Sequence, residues 1–446
     1  MQLADLPLAT VAQQLRAGDL TSVALTEAHL ARIAARNPDV RAFVTVTEAQ
    51  ARAAAQAADA AFAAGRDLGV MQGIPFAIKD LIDMAGVPCT YGSRRHAGHV
   101  PDRDAVVVAR LLAQGAVPLG KVATYEYALV GPSFDQPHPP ARNPWNLGHI
   151  TGGSSSGSAA AVAAGMVRVA LGTDTGGSVR SPACYCGVVG LKPPYGALPM
   201  EGVYPLSPGL DHLGVMAASV GDAALCLAAM GGPAAEGAHT IRGLNIGYAR
   251  DWFATDPACD PAVLAALDDT AGALSLLGAR VSLTTLPDYP TMEAAGAIIL
   301  HAEALAHHLA ALQAHAAGYG RQAYQSLVSG VRLTDADLAQ ARQAAVRMRA
   351  AMETCLAPFD AVLTGNVLAP APPFSAFADD RAVWTAMRTL PFNVTGHPVL
   401  ALPVGFAGGL PLGAQIVGRD TAMLVRIGAA LEAATDAGAQ RPYLRT

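Results

Sequence analysis

Two turns rich in glycine and serine, in the middle of the chain, carry hydroxyl groups suited to nucleophilic chemistry. The first, GGSSSGS, covers residues 152–158, and the second, TDTGGSVRS, covers residues 173–181. Glycine permits backbone conformations closed to other residues, and successive N–H groups in such turns form a nest for an anion. That anion could be a phosphate or the oxyanion of an acyl-transfer intermediate. The two turns therefore predict an anion site, a serine nucleophile, or both.

The segment between the turns predicts how they are placed. Residues 158–166, SAAAVAAGM, have helix composition, and residues 167–172, VRVALG, have strand composition. A helix of this length advances ~14 Å and a strand of six residues returns ~20 Å. If the helix packs antiparallel on the strand, the start of the helix and the end of the strand lie on the same side. We therefore expect Ser154 and Ser178 to share one pocket.

Three other interpretations of the turns stay open from the residues alone. A phosphate loop is disfavoured, because neither turn matches GxxxxGK[ST] and no lysine lies nearby. Residues 153–157, GSSSG, match a nucleophile elbow centred on Ser155, but an elbow follows a strand directly and the preceding NPWNLGHITG is a poor strand. Small residues could also serve only to pack a helix closely against a sheet. The convergence of two such turns favours a functional site.

A serine nucleophile needs a base, and lysine is a better candidate here than histidine. Twelve histidines are present, but none lies in a motif that connects it to Ser178. Lysine occurs only three times, and Lys79 ends the apolar run IPFAI. Desolvation there would lower its pKa from the ordinary ~10.4, as a Ser–Lys pair requires. The alternative is a surface lysine that pairs with Asp80 or Asp83.

Composition limits the class of protein. The 446 residues are 52% hydrophobic and 15% charged, with a net charge of −5, so the chain can bury a large core. The arginines are scattered, and we predict no nucleic-acid partner. The six cysteines lack CxxC spacing, which predicts reduced thiols, no metal and no cofactor. The N-terminus lacks a signal-peptide pattern and no apolar run reaches ~18 residues, which predicts a cytoplasmic protein without a membrane partner.

The order of the expected elements predicts an α/β fold. We expect a single large domain in which a mixed central sheet is flanked by helices, with a helical insertion. Residues 131–151 contain five prolines and are expected to form a long loop that lines the site or covers it. The expected parts are N-terminal helices in 1–64, a core in 65–230, a variable and mostly helical substrate region in 255–385, and strands with a helix completing the sheet in 390–446.

Several segments, in order, resemble the amidase signature family. GIPFAIKD, TGGSSSGSAAAVAAG, LGTDTGGSVRSPA and GVVGLKP carry the resemblance, and ARNPWN, LDHLGVMAASVGDAALCLAAM and FNVTGHPVLALPVGF extend it. It covers roughly residues 65–230 and 390–435, whereas 255–385 does not match strongly. One position departs from the pattern, because many members have a glycine where this chain has Ser156.

The resemblance implies a catalytic triad of the Ser–cisSer–Lys type. Ser178 would be the nucleophile, Ser154 the middle serine after a cis peptide bond, and Lys79 the base. Protons would pass from Ser178 through Ser154 to Lys79 and return to the leaving nitrogen. By the same resemblance, the oxyanion hole would be formed by the backbone N–H groups of Thr175, Gly176, Gly177 and Ser178, and the supporting residues would be Ser155, Asp174 and Arg180.

The implied activity is that of an amidase acting on linear amides rather than peptide bonds. It would hydrolyse a carboxylic amide through a serine acyl-enzyme, and esters or carbamates are accessible to the same triad. The expected partner is a small-molecule amide, with no nucleic acid and no membrane, and the sequence allows a homodimer. The alternative is the glutaminase component, called the A subunit, of a tRNA-dependent amidotransferase complex. A catalytically inactive homologue is disfavoured, because all three triad residues are present.

Overall fold

The computed structural model describes residues 2–234, 240–378, 384–436, 438 and 440–442. Eleven strands form one sheet in the order β1-β3-β2-β6-β8-β7-β12-β13-β11-β9-β10, and β4 and β5 form a separate hairpin. The strands are β1 (Phe43–Val46), β2 (Pro75–Lys79), β3 (Val117–Val122), β4 (Arg142–Asn143), β5 (Asn146–Ile150), β6 (Val169–Asp174), β7 (Val189–Lys192), β8 (His212–Ala217), β9 (Asn245–Tyr248), β10 (Arg280–Leu283), β11 (Ala361–Gly365), β12 (Val399–Ala407) and β13 (Leu410–Val417).

The sheet is mixed. Strand β2 runs parallel to both β3 and β6, and β9 runs parallel to β10 and β11. All other neighbouring pairs in the sheet are antiparallel. Parallel neighbours pair with both edges of β2 and helices pack against the strand, so every residue of β2 is buried.

Helices cover the sheet. The α-helices are α1 (Leu8–Ala17), α2 (Ser22–Val40), α3 (Glu48–Ala63), α4 (Val106–Ala113), α5 (Ser156–Ala163), α6 (Arg180–Cys186), α7 (Val220–Ala229), α8 (Asp251–Ala254), α9 (Pro261–Leu276), α10 (Tyr289–His315), α11 (Arg321–Val328), α12 (Asp335–Leu356), α13 (Pro391–Val394) and α14 (Thr421–Ala434). Helix α5 is buried along its whole length, because its serines, alanines and glycine are small enough for close contact with the sheet.

The predicted fold class is confirmed: the chain is a single domain with a large mixed sheet flanked by helices. The parts expected along the chain differ in detail. Residues 1–64 are not purely helical, because 43–46 form an edge strand on β3. The loop expected over 131–151 ends in the β4–β5 hairpin, and 255–385 contributes β10 and β11 to the sheet. These strands are short and are specified by pairing with distant strands, which local composition does not reveal.

Within the part of the chain that the structure describes, one helix is long and apolar enough to cross a membrane. The segment Tyr289–Gly318 has a mean hydropathy of 1.3 in its most apolar window, of which 39% is buried. The same helix, α10, buries Ile299 and Leu300 in a cluster with Ala341 of α12 and Leu390. Contacts of this kind are typical of a core helix, and a single helix of this kind is weak evidence for a membrane span. A cytoplasmic location stays a prediction.

Candidate active site

Lys79 ends the buried strand β2 and reaches two hydroxyl groups. Its side chain is fully buried. The Nζ atom donates hydrogen bonds to Ser154 Oγ at 2.9 Å and to Thr173 Oγ1 at 2.7 Å. Because Thr173 belongs to the neighbouring strand β6, the parallel pairing of β2 and β6 places this hydroxyl beside the amine. The amine is thus oriented by two oxygen atoms from different elements.

The environment of Lys79 favours a neutral amine. Burial lowers its pKa well below the ordinary value, while the more distant carboxylates of Asp174 and Asp211 act in the opposite direction. No hydrogen bond joins the amine to a carboxylate in the described chain, and its partners there are the two neutral hydroxyls. A neutral amine has a free electron pair, so it can accept a proton.

The first turn presents Ser154 to this amine. The peptide bond between Gly153 and Ser154 is cis, as the resemblance implied. The carbonyl of Ser154 accepts a hydrogen bond of 3.0 Å from the N–H of Tyr125, whose ring lies against Gly153 so closely that a Cβ there would meet it at 2.2 Å. Ser155 points elsewhere, since its hydroxyl donates to the carbonyl of Thr173 at 3.1 Å. Ser155 therefore ties the first turn to the end of β6.

The second turn brings Ser178 to the same place. The N–H of Ser155 donates to the carbonyl of Ser178 at 3.3 Å, so the two turns are in direct contact, as the helix–strand geometry predicted. Ser154 and Ser178 line one cavity. In the described chain the hydroxyl of Ser154 is bonded to Lys79, and no hydrogen bond joins it to the hydroxyl of Ser178. Catalytic hydrogen bonds often tighten only in the substrate complex.

Asp174 and Arg180 hold the second turn from inside. Both are fully buried, and Arg180 contacts the carboxylate through Nε at 3.0 Å and Nη2 at 2.8 Å. The carboxylate also accepts the backbone N–H groups of Gly177 at 2.9 Å and Val179 at 3.1 Å. Burial alone would raise the pKa of Asp174, but the charge and the hydrogen bonds of Arg180 hold this pKa below its ordinary range. The turn is therefore wrapped around a permanent carboxylate.

The oxyanion donors implied by the resemblance are not equivalent. The N–H of Gly177 is already bonded to Asp174, so it is not free to meet a substrate oxygen. Thr175, Gly176 and Ser178 line the cavity, and no acceptor in the described chain takes their backbone N–H groups. The proposed oxyanion hole therefore narrows to these three groups.

The cavity in front of Ser178 has a hydroxyl-lined floor and apolar walls. Its volume is about 620 Å³, counted with the solvent space at its mouth. No charged side chain lines it within the described part of the chain. Its walls come from 128–131 and from parts of the region expected to vary between relatives. The side chains larger than alanine that form these walls are Tyr125, Leu129, Val130, Ile150, Leu206, Leu300, Trp384, Thr385 and Met387.

Sequence reasoning missed several residues that contact the site. Thr173 was within the quoted segment LGTDTGG, directly before Asp174, but the pattern gave no reason to expect its contact with Lys79. Asp211 accepts a hydrogen bond of 2.6 Å from the hydroxyl of Thr175. Asn393 donates to the carbonyl of Asp174 at 2.8 Å from a segment far along the chain. These contacts depend on tertiary packing, which local spacing does not encode.

The other two lysines, Lys121 and Lys192, are also fully buried. Lys121 lies 2.9 Å from the sulfur of Cys89 and 3.5 Å from Asp80. Lys192 donates to the carbonyl of His397 at 2.7 Å. Lys79 is fully buried, and in the described residues it makes no ion pair with Asp80 or Asp83, so the surface-pair alternative for Lys79 is wrong. Among the described residues, no group of three or more His, Cys, Asp or Glu side chains is arranged to hold a metal ion.

Comparison with known proteins agrees with this arrangement. Residues 24–422 match the Amidase family. The chain belongs to the amidase signature family. It is therefore an enzyme of the class that cleaves carbon–nitrogen bonds in amides. The particular roles of Lys79, Ser154 and Ser178 in this protein stay predictions.

Relatives of this amidase signature protein span its whole length. The A subunit of glutamyl-tRNA(Gln) amidotransferase from Roseiflexus sp. (strain RS-1) is 38% identical over 487 residues, which covers 99% of each chain. Among solved structures, one chain from a vestigial protein complex, studied for the evolutionary origins of an s-triazine catabolic enzyme, matches with a TM-score of 0.88 and 30% identity over 99% of this chain and 100% of that one. Native peptide amidase from Stenotrophomonas maltophilia matches with a TM-score of 0.85 and 30% identity over 99% of each chain.

These relatives correct the prediction about partners. From the sequence we expected a small-molecule amide as partner, no nucleic acid and no membrane, and we left a homodimer open. That prediction is wrong, because the full-length relatives are named as one subunit of an amidotransferase of glutamyl-tRNA(Gln). The scattered arginines indicate that this chain has no basic patch of its own. They do not exclude that a complex containing the chain binds a nucleic acid through other subunits.

Proposed function

We propose that the amidase signature protein cleaves a carboxamide through an acyl-enzyme on Ser178. The hydroxyl oxygen of Ser178 attacks the carbonyl carbon, and the electron pair of the C=O bond moves to the oxygen. The proton of Ser178 passes to Ser154 as the proton of Ser154 passes to neutral Lys79. The N–H groups of Thr175, Gly176 and Ser178 stabilise the oxyanion. The support for this step is the buried amine of Lys79 at 2.9 Å from Ser154 in the same site as Ser178.

The second half of the reaction reverses the proton relay. The tetrahedral intermediate expels its nitrogen, which takes the proton back from Lys79 through Ser154 and leaves as ammonia. The acyl group stays on Ser178 as an ester. Water then attacks the ester with its proton passing along the same relay, and the carboxylic acid is released with the Ser178 hydroxyl restored.

We propose that the amide is the side chain of glutamine and that the chain works as the A subunit of an amidotransferase. The observation that carries this proposal is the 38% identity to the A subunit of glutamyl-tRNA(Gln) amidotransferase over 99% of both chains. Partner subunits would then use the ammonia released at Ser178 to amidate the glutamyl group of a glutamyl-tRNA. This proposal replaces the expectation of a free-standing enzyme.

A second candidate substrate is an amide with a neutral, apolar acyl group. Glutamine carries an ammonium and a carboxylate, and buried charges of this kind need paired groups in their site. The described lining of the cavity offers no charged side chain. Apolar residues such as Leu206, Leu300 and Met387 would suit an aliphatic or aromatic acyl group. Both candidates use the same reaction at Ser178.

The experiment that tests the proposal measures ammonia from the purified chain. Glutamine and two neutral amides, isobutyramide and benzamide, are compared with and without the partner subunits of a glutamyl-tRNA(Gln) amidotransferase. Glutaminase activity that rises with the partners supports the first candidate. Hydrolysis of the neutral amides without glutaminase activity supports the second. Turnover of any of these amides by Ser178→Ala at the parent rate would contradict the reaction proposed for both.

A further inference from the structure

The peptide group between Gly176 and Gly177 is fixed at both ends by side chains. Its N–H, from Gly177, donates to Asp174 Oδ1 at 2.9 Å. Its carbonyl, from Gly176, accepts a hydrogen bond of 2.6 Å from the hydroxyl of Thr389. This peptide lies between two of the three proposed oxyanion donors, the N–H groups of Gly176 and Ser178. Its orientation therefore sets the direction in which both donors point.

Thr389 is held firmly enough to act as an anchor. It is fully buried, and its own carbonyl accepts a hydrogen bond of 2.8 Å from Arg180 Nη1. Further along the same segment, Asn393 contacts the carbonyl of Asp174 at 2.8 Å and receives a bond of 2.6 Å from Arg180. The segment that carries Thr389 is thus bound to the same ion pair that shapes the turn.

The packing of Thr389 against the turn is close. A Cβ placed on Gly177 would lie 2.2 Å from Thr389 Oγ1, and Gly177 has a φ of +127°, which disfavours other residues. Glycine at this position therefore has two physical causes, the backbone conformation and the contact with Thr389. Thr389 itself is absent from the cavity lining, so it does not touch the substrate space.

We propose that Thr389 is a positioning residue for the oxyanion hole. It acts by holding the carbonyl of Gly176, so that the N–H groups of Gly176 and Ser178 stay directed at the oxygen of the reacting carbonyl. The inference rests on the proposed chemistry of Ser178. Donors oriented in advance stabilise charge that appears only in the transition state, so their loss lowers kcat rather than raising KM.

The test compares variants that differ in the hydroxyl of Thr389. Thr389→Val removes the O–H and keeps the shape, whereas Thr389→Ser keeps the O–H. Two experiments are made. Steady-state kinetics give kcat and KM for the amide that the parent hydrolyses, and intact mass follows the rate at which an alkyl fluorophosphonate labels Ser178. Labelling also develops negative charge on an oxygen in the oxyanion hole and needs no knowledge of the natural substrate. Thr26→Val is the control, because Thr26 is a buried threonine of α2 whose hydroxyl has no partner among the described residues.

The expected result is that Thr389→Val lowers kcat and the labelling rate together by at least about tenfold, with little change in KM. Thr389→Ser should keep most of both rates, and Thr26→Val should keep them fully. If a folded Thr389→Val variant has the labelling rate and the kcat of the parent, the inference is overturned. If that variant does not fold, Thr389→Ala takes its place. We expect its labelling rate to be lower than that of the parent, and a labelling rate equal to the parent's would contradict the proposal. Labelling of Ser178→Ala at the parent rate would instead contradict the proposed function.

Discussion

The amine of Lys79 lies 2.9 Å from the hydroxyl of Ser154, and 75 positions along the chain separate the two residues. The contact joins the end of a parallel strand to a glycine turn that precedes a buried helix. The strand that ends at Lys79 and the turn that carries Ser154 are each positioned by their own contacts, and the two residues meet only in the folded chain. The pair is the structural basis for every expectation about the proton path.

Replacing Lys79 tests whether the neutral amine is the base. Lys79→Arg keeps a cation that cannot become neutral, and Lys79→Ala removes the group, so both should lose several orders of magnitude in kcat/KM. Because burial lowers the pKa of Lys79, the rising limb of the parent pH–rate profile should lie well below the ~10.4 of an ordinary lysine. A near-parent rate in Lys79→Arg would assign the base to another group.

Two neighbouring serines of the first turn offer a matched pair. Ser154→Ala interrupts the proton path between Ser178 and Lys79, so kcat should fall by about 10²- to 10⁴-fold. Ser156→Ala should change kcat less than about twofold, because the hydroxyl of Ser156 makes a bond of 3.3 Å to the carbonyl of Ala123 and does not line the cavity of Ser178. Steady-state kinetics on both variants decide this. Equal losses in the two would mean that the turn matters only as a structural unit.

Gly177→Ala tests how tightly the second turn is shaped. The new Cβ would collide with Thr389 in a backbone conformation that alanine rarely adopts, so the turn must shift. A displacement of about 1 Å can cost on the order of 10²-fold in rate, and we expect a loss of that size in kcat. Gly272→Ala in α9 is the control, since nothing lies within 4 Å of its added Cβ. Parent kcat in Gly177→Ala would show that the turn is more adaptable than the contacts indicate.

Glu126 should make stability depend on pH. Burial raises its pKa to about 7, against hydrogen bonds from Ser93 at 2.6 Å and the N–H of Gly320 at 2.9 Å. Between the ordinary value of about 4.3 and about 7, the folded chain holds a proton that the unfolded chain lacks, so stability falls as pH rises through this window. In Glu126→Gln, the loss of Tm between about pH 5 and about pH 8 should be smaller than in the parent.

Thermal unfolding at the two pH values provides the measurement. Glu201→Gln, at an exposed position, is the matched control and should leave the difference in Tm unchanged. A Glu126→Gln variant with the same difference in Tm as the parent would mean that this carboxyl titrates alike in the folded and unfolded chains.

Short-range patterns in the amino-acid sequence were enough to predict the two turns of the site. The glycines and the helix–strand segment between the turns are short-range patterns, and they predicted one pocket for Ser154 and Ser178. The role of Lys79 beside these serines was implied by the resemblance to the amidase signature family. The mixed sheet followed from alternating helix and strand patterns in the same way. The full-length relatives then overturned the expected partners, because the complex in which a protein works is not written into the pattern of its own active site.

Tertiary structure alone decided how the second turn is held and what the cavity is made of. Thr389 reaches Gly176 across 213 positions, and Asn393 and Arg180 are equally far apart. The hydrogen bond from the N–H of Gly177 to the carboxylate of Asp174 likewise depends on the fold of the turn and could not be predicted from the sequence pattern. Local periodicity reports which face of an element is apolar, but contacts between distant segments depend on how whole elements pack.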